Sequence, residues 1–119
     1  MSQSFQPGDY LIFQLESGYG LLRVLASEGE GAERVWHLLA YDEFFPTVEA
    51  AEDALADGRV LAVRKPHMAL TERAFERTPA ARLGTGPLRE EEMAPYFEWL
   101  HSENKDVSDR SALLLLGIR

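Results

Sequence analysis

The sequence predicts an α+β domain: a strongly bent antiparallel sheet, or a small SH3-like barrel, with two or three helices packed outside it. Three observations carry this. Residues 8–26, GDYLIFQLESGYGLLRVLA, set two runs of strand-forming residues on either side of the turn Glu16-Ser17-Gly18-Tyr19. Gly20 lies inside the second run, where a glycine marks a bulge, a bend or the close approach of another backbone. From residue 47 onward, capped helical patterns alternate with further short strand-like runs. At 119 residues, 45% of them apolar, the chain has the length of a single domain, residues 1–119, and enough apolar surface to bury a core.

The elements follow in order. A first strand over Asp9 to Glu16 puts Leu11, Phe13 and Leu15 on one face and Tyr10 and Ile12 on the other. A second, Tyr19 to Ala26, groups Leu22, Val24 and Ala26 against Leu21, Arg23 and Leu25. After the polar linker of residues 27–33, a third strand over Arg34 to Tyr41 alternates Val35, His37, Leu39 and Tyr41 with Trp36, Leu38 and Ala40. Phe44 and Phe45 leave the sheet and fold back on the core. Thr47 to Gly58 reads as a helix with an N-cap threonine, acidic residues in its first turns and a C-terminal glycine stop. Its stripe of Val48, Ala51 and Leu55 is narrow, which places it on the surface of the sheet. Arg59 to Arg64 is expected as a fourth strand ended by Lys65-Pro66, followed by a two-turn helix capped by Thr71 and stopped by Pro79. Ala80 to Gly84 makes a short fifth strand. Met93, Tyr96, Phe97 and Leu100 give a third helix between Leu88 and Ser102, provided that it begins near Glu91 so that Pro95 meets an amide with no helical partner. Residues 111–118 are a strand or a short helix; the uninterrupted run favours the strand.

Composition narrows the function classes. No cysteine is present, so disulfides, thiolate zinc sites and cysteine nucleophiles are excluded, in keeping with a reducing cytoplasm. Residues 1–7 have neither the basic nor the apolar region of a signal peptide, and the longest apolar run, Ala112 to Leu116, is far too short to span a membrane. A cytoplasmic protein without membrane contact is expected. His37, His67 and His101 are isolated and lack metal-ligand spacing, so no metal and no cofactor is expected. No serine sits in a nucleophile elbow, and Gly84-Thr85-Gly86-Pro87 reads as a turn rather than a phosphate loop. The expectation is a protein that is not an enzyme. Net charge is −8, which repels nucleic acid and attracts basic partners. Against that trend, six basic residues face Glu72 and Glu76 between Arg59 and Arg82.

Gly8-Asp9, an apolar strand, and then Tyr19-Gly20 with Arg23-Val24 resemble the opening hairpin of a bacterial immunity-protein family that accompanies polymorphic toxins. Tyr41-Asp42, Pro66-His67, Leu70-Thr71, Phe75, Leu83-Gly84 and Pro87-Leu88 extend the likeness over residues 8–88. The resemblance implies a cytoplasmic binding protein that occludes a cognate toxin, such as a nuclease with a basic groove. The candidate docking residues are Asp42, Glu43, Glu49, Glu52 and Asp53, or Glu90, Glu91 and Glu92. Two other readings compete. One is a small enzyme or ligand binder with a pocket between the sheet and the C-terminal helix, lined by Tyr96, Trp99 and His101. The other is a nucleic-acid-binding barrel using Arg23, Arg34, Arg64 and Lys65 with Tyr10, Tyr19 and Trp36.

Overall fold

A computed structural model describes residues 4–118. The elements are β1 (Asp9–Leu15), β2 (Gly18–Glu28), β3 (Val35–Tyr41), α1 (Val48–Ala56), β4 (Val63–Thr71), α2 (Glu72–Glu76), β5 (Ala80–Thr85), α3 (Glu90–His101) and α4 (Ala112–Leu116), with one 3-10 turn at Gly31–Glu33. The strands form one antiparallel sheet in the order β4-β3-β2-β1-β5. The α+β class holds, but the sheet stays open with β4 and β5 at its edges, so the barrel alternative does not.

Both faces of the sheet are covered, which strand alternation makes possible. On one face Leu11, Phe13, Leu22, Val24, Trp36, Leu38, Ala40, Met68 and Leu70 pack against Phe75 of α2 and Ala112 and Leu116 of α4. On the other, Ile12, Leu21, Leu25, Leu39 and Tyr41 pack against Ala51 and Ala54 of α1 and Tyr96 of α3. The first face is apolar at its centre, with the buried Asp9 at the β1 end. The second interposes Arg23 and His37, both buried, at inward positions. The alternation expected for β1 and β3 is observed. In β2 a register shift between Val24 and Ala26 moves Ala26 to the α1–α3 face. Gly20 pairs with Phe13 across the hairpin, and a Cβ there would stand 2.5 Å from the tip of the Phe13 ring. The glycine therefore admits an aromatic ring over its own backbone.

Three elements and one loop depart from expectation. β4 spans Val63–Thr71 rather than Arg59 to Arg64, and runs through Pro66. An edge strand tolerates a proline, and Pro66 falls where the β3–β4 register slips between Leu38 and Ala40. α3 begins at Glu90, close to its expected start, but Pro95 lies beyond the first turn and removes one helical hydrogen bond. The run at 112–116 is a helix, not a strand: Ser111 caps its first turn by accepting from the Leu114 amide, and Gly117 ends it in the left-handed region at φ 67°. Of the two phenylalanines after β3, Phe45 is buried and bridges to Tyr19, whereas Phe44 is 42% exposed.

Residues 102–110 act as a strap. They carry the chain from α3 on one face of the sheet to α4 on the other, around the edge of β4. There Ser108 donates to the Ala69 carbonyl at 2.8 Å and accepts from the Thr71 amide at 3.0 Å. Asp109 binds the Thr71 hydroxyl at 2.7 Å and the Arg73 guanidinium, and its carbonyl accepts from Arg77 at 2.9 Å. Part of an otherwise bare strand edge is thereby occupied.

Candidate functional site

Every buried polar feature on the sheet's α1–α3 face falls into one of two clusters. The first is built on Arg23 of β2. Its guanidinium donates to Glu92 Oε2 at 2.6 Å, to the carbonyls of Gly86 and Pro87 at 2.8 and 3.1 Å, and to the Gly8 carbonyl at 3.3 Å, and it lies 4.1 Å from the centre of the Tyr10 ring. Arg23 thus joins the approach to β1, the turn after β5 and the start of α3. Glu92 reaches back to accept from the Arg89 amide at 2.9 Å, which forms one half of a capping box. Burial alone would raise the Glu92 carboxyl, but the Arg89 amide and the Arg23 charge hold it below the usual range. Asp9 behaves alike. Burial opposes its ionisation, and the Gln6 amide, Thr85 and Arg82 override that.

The second cluster centres on His37 of β3. Its Nδ1 lies 3.0 Å from His67 Nε2 of β4, and its Nε2 lies 3.0 Å from Glu28 Oε1, close but not aligned as a full hydrogen bond. Tyr96 of α3 donates to the same Glu28 oxygen at 3.0 Å. Since a carboxylate only accepts, the His37 proton belongs on Nε2, which leaves Nδ1 to accept from His67. The rings of Tyr96 and Trp99 cover His37, with centroids at 4.5 and 4.6 Å. Burial, reinforced by His37 and Lys65, pushes the His67 pKa down to about 4. Burial also lowers that of His37, against the pull of Glu28, and pushes the Tyr96 hydroxyl up to about 12. The two imidazoles bond to each other and do not converge on a cation; no group of three or more His, Asp or Glu able to hold a metal ion occurs among the described residues.

Between the clusters and the loop after α1 lies a cavity of about 500 Å³. Its walls come from Tyr10 and Tyr41 of the sheet, Leu55 of α1, residues 58–63, and Glu91, Glu92 and Pro95 of α3. A pocket between sheet and C-terminal helix was expected around Tyr96, Trp99 and His101. Instead Tyr96 and Trp99 are packed against histidine, His101 is exposed, and the cavity opens toward the other end of α3.

The expected docking residues divide. Glu49, Glu52 and Asp53 are exposed on α1 and form no ion pair among the described residues. Glu90 and Glu91 are exposed at the start of α3, with Glu91 3.2 Å from Arg89. Glu92 points inward to Arg23, so it is withdrawn from the surface. Asp42 is held by Arg64 at 2.9 Å and Glu43 by Arg59, so both acids neutralise the basic segment of the sequence. Arg73 and Arg82 are paired in the same way with Asp109 and Asp9. The residues of the nucleic-acid reading do not assemble: Trp36 is fully buried, Arg23 is committed to Glu92, and Arg64 binds Asp42 and the Leu116 carbonyl. Reasoning from sequence missed the Arg23–Glu92 pair and the Glu28–His37–His67 array. Their signal was present, as charged or polar residues at inward register positions between Leu21 and Leu25 and between Val35 and Leu39.

The class that fold and site define is an α+β domain with an open five-stranded antiparallel sheet between two helical layers, one of them strongly acidic. Comparison with family models, with curated proteins and with solved structures yields no match to this chain. No helix among the described residues is long and apolar enough to cross a membrane.

Proposed function

We propose that this chain is a non-enzymatic interaction protein whose α1–α3 face docks a basic protein, in the manner of an immunity protein that covers a toxin's substrate groove. One observation carries the reading. From their N-caps through Asp57 and His101, α1 and α3 carry Glu49, Glu52, Asp53, Asp57, Glu90, Glu91, Glu92 and Glu98 against Arg89 alone. All but Glu92 are exposed. The helices of the opposite layer are nearly balanced: α2 holds Glu72, Arg73 and Glu76, and α4 has no charge. The chain's negative charge is thus concentrated on one side, where it steers a positively charged surface into contact. Phe97, 47% exposed on α3 beside Glu90 and Glu98, supplies apolar contact within the acidic field.

The test is co-expression with a basic toxin domain encoded beside this chain. Wild-type protein restores growth. Reversal of Glu49, Glu52 and Asp53 to lysine, or of Glu90, Glu91 and Glu98 to lysine, removes that protection while leaving a folded protein. Undiminished protection by both variants would sink the electrostatic reading.

A further inference from the structure

We infer that the cavity between α1, α3 and the sheet is a binding site for a small, uncharged, planar aromatic molecule. Its volume, about 500 Å³, falls in the range of roughly 300–1,000 Å³ typical of small-molecule sites. The walls are flat and stiff. The rings of Tyr10 and Tyr41 stack at 6.2 Å with 23° between their planes, and Pro66, Pro87 and Pro95 contribute three rigid rings. Such walls lose little conformational freedom when a planar ligand enters.

The charges select against ions. Three arginines line the cavity, and each is paired: Arg23 with Glu92, Arg59 with Glu43, and Arg89 with Glu91 and Glu92. Of these pairs Arg23–Glu92 is buried, so an ionic ligand that displaced either member would leave a buried charge uncompensated, and the two exposed pairs give it little in return. A neutral ring displaces neither member. The Tyr41 hydroxyl at the wall stands beside the Arg23 guanidinium, which bonds to its oxygen, and keeps its O–H to donate to a ligand polar atom. Entry is from the loop after α1, where Val60 is 86% exposed and Val63 borders the opening. The site does not depend on the docking of a basic protein.

The experiment is a two-dimensional NMR titration of the full chain with four probes: indole, benzoate, benzylamine and cyclohexanol. The expected result is saturable indole binding at least about tenfold tighter than any other probe, with shifted amides confined to residues 58–63 and the neighbouring strands. Val63→Trp and Val60→Trp put an indole of the protein's own at the opening. Each variant that keeps the wild-type melting temperature is expected to lose indole affinity by a similar factor. The proposal is overturned if indole fails to saturate, if a charged or non-planar probe binds as tightly, or if the shifted amides lie elsewhere on the wild-type protein.

Discussion

His67 owes its unusual basicity to position. It stands on β4 with one nitrogen 3.0 Å from His37, under the rings of Tyr96 and Trp99. Its folded pKa of about 4 lies below the ordinary 6.5. Between those values the unfolded chain binds a proton that the folded chain refuses, so stability falls as pH drops from 6.5 to 4 and is level above that window. Urea unfolding between pH 8 and pH 4 is expected to show that slope in wild type and a flatter one in His67→Gln, the remainder coming from His37, whose pKa burial also lowers. Identical slopes would remove His67 as its source. Glu92 and Asp9, both held below their usual range, add a separate loss at lower pH as they become protonated. Gly20 is governed by contact. Gly20→Val drives a side chain into the buried Phe13 ring, and overpacking of this kind costs about 1–3 kcal/mol. The check is the denaturation midpoint, which is expected to fall in Gly20→Val and to recover in part when Phe13 is shortened to leucine.

At the scale of elements, α4 illustrates how little a short helix holds itself. Five residues are too few to be helical alone. Its C-terminal Leu116 carbonyl is gripped by Arg64 Nε and Nη2 at 3.1 and 3.0 Å, while Arg64 Nη1 holds Asp42 at 2.9 Å. Arg64→Ala is expected to fray α4 and to cost roughly 1 kcal/mol, read as faster amide exchange at residues 115–118 with β1 and β2 unchanged. Unchanged exchange in α4 would show that its own caps suffice. The same helix shows what sequence reasoning can decide. The apolar run at 112–116 has no readable period, but Ser111 and Gly117 punctuate it as an N-cap and a left-handed stop, and that punctuation outweighs the run. The β1–β2 hairpin was legible because alternation and turn chemistry are local. β4 was not, because a proline that would break a central strand is harmless at an edge, and edge position is a property of the assembled sheet. The acidic face was legible residue by residue in Glu49, Glu52, Asp53, Glu90 and Glu91. Its exclusions were not: only tertiary contacts reveal that Glu92, Asp42 and Glu43 are spent on arginines.

In the whole molecule one sheet serves two cores. The chain's two tryptophans report on them separately, Trp36 beneath α2 and Trp99 over His37 on the opposite face. Because β1, β2 and β3 contribute side chains to both sides, neither core can loosen without the other losing its floor. The single-tryptophan proteins Trp36→Phe and Trp99→Phe are therefore each expected to show one transition, with fluorescence and far-UV circular dichroism coinciding. Separate fluorescence and circular-dichroism midpoints within either protein would mean that the helical layers unfold independently. Charge is divided as unequally as the cores are shared, with the acidic layer on one side and the compensated arginines distributed around it.

The strap at residues 102–110 has a consequence during synthesis. The ribosome releases all five strands before it releases the segment that occupies the β4 edge and caps the Trp36 face with α4. For that interval the nascent chain presents an open strand edge and an apolar surface that α2 covers only in part, the combination that invites association with neighbouring chains. Folding yield in a cell should accordingly depend on how quickly translation passes the codons for Asp109 to Leu116.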